Sequence, residues 1–118
     1  MKEVRIAVTG GRSFSDTKLV EKVLGQLLGR NVILAHGDCK GADHLCRDFA
    51  IKAGWKVVPF EANWNLYGNR AGPIRNAKLL DDFKPDLLIA FPGSAGTWNM
   101  VNSALDRKIR IVYSSSVK

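Results

Sequence analysis

The residues of this chain best suited to chemistry are glycine-rich segments that run directly into helical sequence. One reads Thr9-Gly10-Gly11-Arg12-Ser13-Phe14, a second His36-Gly37-Asp38-Cys39-Lys40-Gly41-Ala42-Asp43, and a third Pro92-Gly93-Ser94-Ala95-Gly96-Thr97. Glycine lets backbone N–H groups come close to an anion, and a helix N-terminus adds unpaired amides and a favourable dipole, so each segment is a candidate phosphate cradle. Any one of them alone serves equally well as a tight strand-to-helix turn with no ligand, and it is their convergence on one rim that carries weight. The pair Gly10-Gly11 lacks the later glycine of G-x-G-x-x-G, and no segment reads G-x-x-x-x-G-K-[ST]. A conventional NAD dehydrogenase and a P-loop nucleotidase are therefore disfavoured.

Charged and aromatic side chains lie beside these loops. Arg12, Lys40, Arg70 and Arg75 are the nearest cations, and an arginine can grip a phosphate through two parallel donors where a lysine offers only a point charge. Lys40 also reads as a solvated loop charge. Asp43, just inside a helix N-terminus, has two readings: a charge that stabilises the helix, or a carboxylate directed at a ribose hydroxyl or at catalysis. Asp38 and Glu61 are the other carboxylates expected near the same rim. His36, Asp38, Cys39, Asp43, His44 and Cys46 include metal-ligand types, but Cys46 falls on an apolar helical face, His36 ends a buried strand, and no C-x-x-C or H-E-x-x-H spacing is present. No metal and no cofactor are expected. Trp64, Tyr67 and Phe14 can stack on a base or anchor a long loop, whereas Trp55 and Phe49 read as core.

The elements that must position these residues alternate strictly. Val4 to Val8, Val32 to Ala35, Trp55 to Pro59, Asp86 to Phe91 and Ile109 to Tyr113 are short apolar runs that read as strands. Between the first two, Asp16 can cap a helix whose buried face is Leu19, Val20, Val23, Leu24, Leu27 and Leu28, closed by Gly29. A second helix presents Ala42, Leu45, Cys46, Phe49, Ala50 and Ala53 before Gly54. A polar loop from Phe60 to Ala71 is longer than such connections usually are, and Pro73 in a first turn then opens a shorter helix to about Asp81. Thr97 to Leu105 lies on a last helix, and the tail from Ser114 to Lys118 is expected to fray. This order predicts one small Rossmann-like α/β domain with a five-stranded, mainly parallel sheet and helices on both faces.

Length and composition agree with that reading. The chain has 118 residues, enough for one domain, with 46% hydrophobic and 25% charged residues, which is ordinary globular usage. No apolar run is long enough to span a bilayer and no leader pattern opens the chain, so no membrane association and a cytoplasmic location are expected. Two cysteines seven positions apart, Cys39 and Cys46, read as free thiols in a reducing compartment. The net charge of +7 suggests an anionic partner. Much of it, however, falls at strand starts and helix ends (Lys2, Arg30, Lys52, Lys56, Lys84, Arg107 and Lys108), on the rim opposite the glycine loops, where cations complement helix C-termini. Nucleic acid is therefore the less favoured partner and a small nucleotide-like ligand the favoured one.

Taken together and in this order, Thr9-Gly10-Gly11-Arg12, His36-Gly37 with Gly41-Ala42-Asp43, the run from Tyr67-Gly68 to Gly72-Pro73-Ile74-Arg75-Asn76, and Pro92-Gly93-Ser94-Ala95-Gly96-Thr97 resemble the YspA-type, YpsA-related branch of the SLOG superfamily, over about residues 4 to 113. The resemblance implies a Rossmann-like fold, a nucleotide-derived ligand such as ADP-ribose, an NAD fragment or a nucleoside monophosphate, and kinship with the Lonely Guy phosphoribohydrolases and the DprA/Smf DNA-processing proteins. It implies ligand contacts at Gly10, Gly11, Arg12, Ser13, Gly37, Gly41, Asp43, Arg70, Arg75, Asn76 and the run Pro92, Gly93, Ser94, Ala95, Gly96 and Thr97. It also implies a homodimer formed through helices, with Trp98 and Met100 candidates for the interface. Lonely Guy enzymes carry P-G-G-x-G-T-x-x-E, and where their catalytic Glu stands this chain has Met100, which can neither donate nor accept a proton. Binding is therefore the first reading. An N-glycosidase using another carboxylate, Asp43 foremost, is the alternative, and a DprA-like DNA-processing or nucleic-acid-binding protein is the second alternative.

Overall fold

The computed structural model describes residues 2–118. Its five strands are β1 (Glu3–Thr9), β2 (Asn31–His36), β3 (Lys56–Pro59), β4 (Leu87–Ala90) and β5 (Arg110–Tyr113). They form one sheet, parallel throughout, in the order β3-β2-β1-β4-β5. The helices are α1 (Thr17–Leu24), α2 (Ala42–Lys52), the single turn α3 (Trp64–Tyr67), α4 (Ala71–Phe83) and α5 (Ala95–Asp106).

Side-chain alternation along the strands separates two cores. Ile6 and Val8 of β1, Val32 and Leu34 of β2 and Ile89 of β4 pack against Val20, Val23 and Leu24 of α1 and Ala42, Cys46 and Ala50 of α2. The opposite face presents Ala7, Ala35, Leu88 and Ala90 to Leu79, Leu80 and Phe83 of α4 and Met100, Val101 and Ala104 of α5. Three alanines on that face leave room for the larger side chains of α4 and α5 to reach the strands. With both faces covered, β1 is buried along Ile6, Ala7 and Val8, as a central parallel strand must be. The chain leaves β1 for β2 and β3 on one side, then crosses back to β4 on the other, so the order reverses between β1 and β4. A crevice opens at the carboxyl ends of strands at such a point.

Several boundaries differ from the sequence reading. Asp16 does cap α1, accepting from the Leu19 amide at 3.1 Å, but the helix gives way at Gly25 to a 3₁₀ turn through Leu27. Three residues per turn rotate Leu28 away from the core, and it is 57% exposed rather than buried. The long loop is partly helical: Asn63 caps α3 by accepting from the Leu66 amide at 3.1 Å, and Gly68–Arg70 form a 3₁₀ turn. Helix α4 begins at Ala71 and runs to Phe83, longer than expected at both ends. Pro73 sits in its first turn, where a missing N–H leaves no intrahelical bond unmade. The tail does not fray. Ser114–Ser116 make a 3₁₀ turn with Ser114 buried, Val117 packs against the α1 and α2 core, and the Gln26 side-chain amide donates to the Lys118 carbonyl at 3.2 Å.

The rim opposite the crevice carries cations at helix ends. Arg5 donates from Nε to the carbonyl of Phe83, the last residue of α4, at 2.9 Å and lies over the Phe83 ring. Arg107 donates to the Ser103 carbonyl near the end of α5 at 3.0 Å and to Asp81 at 2.7 Å. Such contacts satisfy carbonyls that the helix leaves unpaired. Among the described residues no helix is long and apolar enough to cross a membrane.

Candidate functional site

The loops that follow β1, β2 and β4 are stitched together by backbone bonds. The Gly11 amide donates to the Pro92 carbonyl at 2.8 Å, the Phe91 amide to Thr9 at 2.9 Å, and the Ala42 amide to Gly11 at 3.1 Å. Packing this close requires residues without a side chain. A Cβ on Gly10 would lie 2.5 Å from the Cβ of Ala42 and 2.9 Å from that of Phe91, and one on Gly11 would lie 3.2 Å from the Gly93 Cα. Contact between loops thus explains Gly10 and Gly11 as fully as approach to an anion does.

The loops enclose a cleft of about 1120 Å³. Gly10, Gly11, Arg12, Ser13, Gly37, Asp43, Arg75 and Asn76 line it, as does the whole run from Pro92 to Thr97. Arg70 and Gly41 do not. Arg70 is exposed on the 3₁₀ turn after α3, and Gly41 lies behind the lining, against the carbonyls of Gly11 and Arg12. Lys40 is on the lining. Glu61 belongs to a separate surface depression beside Trp64, and Asp38 faces His44 instead, with 2.9 Å between its Oδ1 and His44 Nε2.

One side of the cleft is the start of α5. Its first ladder bond runs from the Trp98 amide to Ser94, and the Ser94 side chain makes no capping bond. The amides of Ala95, Gly96 and Thr97 therefore open the helix without intrahelical acceptors, at the positive end of its dipole. Thr97 is 8% exposed, and its Oγ1 has no hydrogen-bond partner among the described residues. The main chain of Gly93 passes so close that a Cβ there would strike this hydroxyl and come within 2.8 Å of the Gly11 nitrogen. Met100, one turn further on, is buried with Val101 and Ala104 on the helix's inner stripe. It forms part of the cleft floor and so faces the core rather than a partner chain. Trp98 remains exposed.

The other side is held by Arg75 and Asp43. The Arg75 guanidinium packs against Gly37: Nη1 donates to the Gly37 carbonyl, and a Cβ on Gly37 would meet Cζ at 2.6 Å. Its Nε donates to Asn76 Oδ1 at 2.9 Å, while the Asn76 amide group donates to Asn99 Oδ1 at 3.0 Å. Asn76 is buried with both ends of its amide engaged, so it positions Arg75 and ties α4 to α5. No protein acceptor meets Arg75 Nη2 among the described residues. Asp43, 7% exposed, accepts the Gly37 amide at 3.0 Å and the Cys39 amide at 3.4 Å, both at Oδ2. Burial pushes its carboxyl up to about 6, against the opposing pull of Arg75 and those two amides. Behind it, His36 accepts the Asp38 amide at Nδ1, 2.9 Å away, which leaves the ring proton on Nε2, buried and without a partner among the described residues. Burial lowers the His36 pKa to about 4.

Above the cleft, the Arg12 guanidinium carbon lies 5.1 Å from the centre of the Trp64 ring, and Trp64 also lines the cavity. Phe14 lines the cleft as well and packs on Phe91, with ring centres 5.4 Å apart, whereas Tyr67 stays outside. Sequence reasoning missed Asn69, Gly72 and Asn99 on the lining. Asn99 had one readable signal, since it stands two residues after Thr97 on the helix that opens at the cleft.

Comparison with known proteins agrees with this architecture. The Gene 61 protein of Mycobacterium phage D29 is 29% identical over 118 residues, covering 92% of this chain and 94% of its own. The structure of DNA processing protein A (DprA) from Streptococcus pneumoniae is similar with a TM-score of 0.55 at 18% identity, over 92% of this chain and 58% of that one. UDP-GlcNAc 2-epimerase from Neisseria meningitidis, bound to UDP-GlcNAc, gives a TM-score of 0.51 at 14% identity, over 95% of this chain and 31% of that one. At these identities the structural likeness is one of fold, and this chain spans only part of either protein. The sequence profile of one family matches residues 4–67, more than half of the chain, and that stretch contains the first two glycine loops and α2: the chain belongs to the YspA, cpYpsA-related SLOG family.

Proposed function

We propose that the cleft binds a phosphorylated, nucleotide-derived small molecule, of which ADP-ribose, an NAD fragment and a nucleoside monophosphate are the candidates. The observation that carries this reading is the buried, unpartnered Thr97 hydroxyl beside the open amides of α5. A buried polar atom left without a partner is costly, and a phosphate oxygen at this helix start would satisfy it together with the amides of Gly96 and Thr97. Arg75, anchored through Nε and Nη1, has Nη2 left for a charge-assisted bond to the same anion. Calorimetry with adenosine monophosphate and ADP-ribose tests the proposal. Thr97→Val is expected to weaken binding by about tenfold or more with no loss of thermal stability, because the hydroxyl it removes has no partner in the protein. Absence of binding at millimolar ligand, together with no nucleotide retained by the purified protein in native mass spectrometry, would overturn the reading.

A second reading, hydrolysis of an N-glycosidic bond, is favoured by one observation. Asp43 is a buried carboxyl on the cleft lining whose pKa of about 6 suits a group that exchanges protons near neutrality. It would do the work for which Met100 has no chemistry. This reading expects free base to be released from a nucleoside monophosphate, followed by chromatography, and the release to stop in Asp43→Asn. If the wild-type chain releases no base, hydrolysis is excluded and binding stands.

A further inference from the structure

Three tryptophans occur in the chain, and they differ in setting. Trp55 is buried against Phe49, and Trp98 is exposed away from the cleft. Trp64 is 45% exposed, yet it lines the cleft and is held in place on two sides. Its far edge rests on Gly72, where a Cβ would lie 3.3 Å from Cη2, and its face lies under the Arg12 guanidinium. As the first residue of α3 it follows directly on the cap residue Asn63. A loop aromatic whose only task was to anchor the loop would bury its faces in a core; this one lines the cavity half exposed, with the exposed Arg12 cation over its ring.

Arg12 directly follows Gly11, whose amide is bonded to the loop that carries Gly93. The cation resting on the indole is thus one residue from the proposed phosphate site. A guanidinium on an exposed indole is worth only about 2- to 5-fold in an equilibrium, whereas a base stacked on an aromatic ring is worth about 5- to 150-fold. A planar base would therefore displace Arg12 from the ring, and the freed guanidinium is within one residue's reach of the anion, where its forked donors suit phosphate. We infer that Trp64 is the stacking platform for the ligand's base and that Arg12 exchanges the indole for the ligand's phosphate on binding. The ligand class is accordingly a nucleotide with an intact base rather than a sugar phosphate. This inference rests on the cleft's being a phosphate-ligand site.

The test compares two probes, adenosine monophosphate and ribose 5-phosphate, which share the phosphate and differ in the base. The wild-type chain is expected to bind the nucleotide more tightly by about 5- to 150-fold and to show quenched tryptophan emission with the nucleotide alone. Trp64→Leu should bring the nucleotide down to the affinity of ribose 5-phosphate and abolish the quench. Trp64→Phe, which keeps a smaller ring on the same seat, should fall between, and Trp98→Leu should quench like the wild type. Trp64→Phe carries the test should Trp64→Leu fail to fold. Equal affinity for the two probes in the wild type, or a nucleotide preference that survives Trp64→Leu, overturns the inference and leaves the phosphate site standing. Failure of both probes to bind removes the phosphate site and this inference with it.

Discussion

Replacing Gly41 by alanine is expected to destabilise the protein by about 4 kcal/mol, a large share of the total for a domain of this size. Two independent penalties combine at this position. The residue before α2 has φ 85° and ψ −130°, a combination essentially confined to glycine. An added methyl would also meet backbone rather than a yielding side chain: the Gly11 carbonyl oxygen, and the Arg12 oxygen and carbonyl carbon at 2.6 and 2.7 Å. Those atoms cannot retreat without breaking the bond from the Ala42 amide to Gly11, which docks the first glycine loop on α2. Gly29 separates the two penalties. It has φ 87° but nothing within 4 Å of an added Cβ, so Gly29→Ala should cost only the backbone strain, about 1 to 2 kcal/mol. Urea unfolding of both variants measures the difference. Equal losses would mean that the contact between loops contributes nothing.

Gly41 also illustrates what a sequence can and cannot disclose about this site. The alternation of apolar runs with 3.6-periodic segments gave the order of elements, because burial on both faces of a parallel sheet leaves that pattern in nearly every strand. The rim of the sheet followed from the order of elements, and with it most of the cleft lining. What the pattern does not encode is the division of labour within a motif. Gly41, Gly11 and Gly93 look alike in sequence, yet Gly41 is a positive-φ turn packed behind the lining, Gly11 is packed between loops, and Gly93 lies against the unpartnered Thr97 hydroxyl. Arg70 and Arg75 likewise stand five residues apart in one motif. The helical start at Ala71 points Arg75 across to Gly37 and leaves Arg70 in solvent. Contacts between distant segments decided such matters, as they decided the tail: Val117 finds the α1 and α2 core and Gln26 finds the Lys118 carbonyl, and neither partner is visible from the five residues of the tail itself.

The largest pH effects are expected from His36 and Asp43, two buried groups with opposite linkage to folding. Asp43 rises from 3.8 to about 6, chiefly through burial. A carboxyl whose folded pKa is raised contributes stability that is complete below pH 3.8 and is lost as the pH climbs through about 6, a loss of roughly 3 kcal/mol. His36 falls from 6.5 to about 4, again chiefly through burial, with the cations Arg47 and Arg75 and the neighbouring His44 lowering it further against Asp38. A lowered folded pKa contributes stability that is complete above pH 6.5 and is lost as the pH drops through about 4, also roughly 3 kcal/mol. Between pH 4 and 6.5 the two contributions run in opposite directions and nearly cancel. Removing either group should expose the other. Asp43→Asn, which keeps an acceptor for the Gly37 and Cys39 amides, should become about 3 kcal/mol more stable, relative to the wild type, on going from pH 4 to 6.5. His36→Asn, which keeps an acceptor for the Asp38 amide, should lose about as much over the same interval. Urea unfolding of the three proteins across that interval reads the difference directly, and profiles that stay parallel would show that folding shifts the pKa of neither group. A tight phosphorylated ligand adds a further handle. Asp43 faces the cleft and His36 lies behind it, so bound anion should raise the Asp43 pKa further, shifting its half of the profile to higher pH and leaving the His36 half nearly in place.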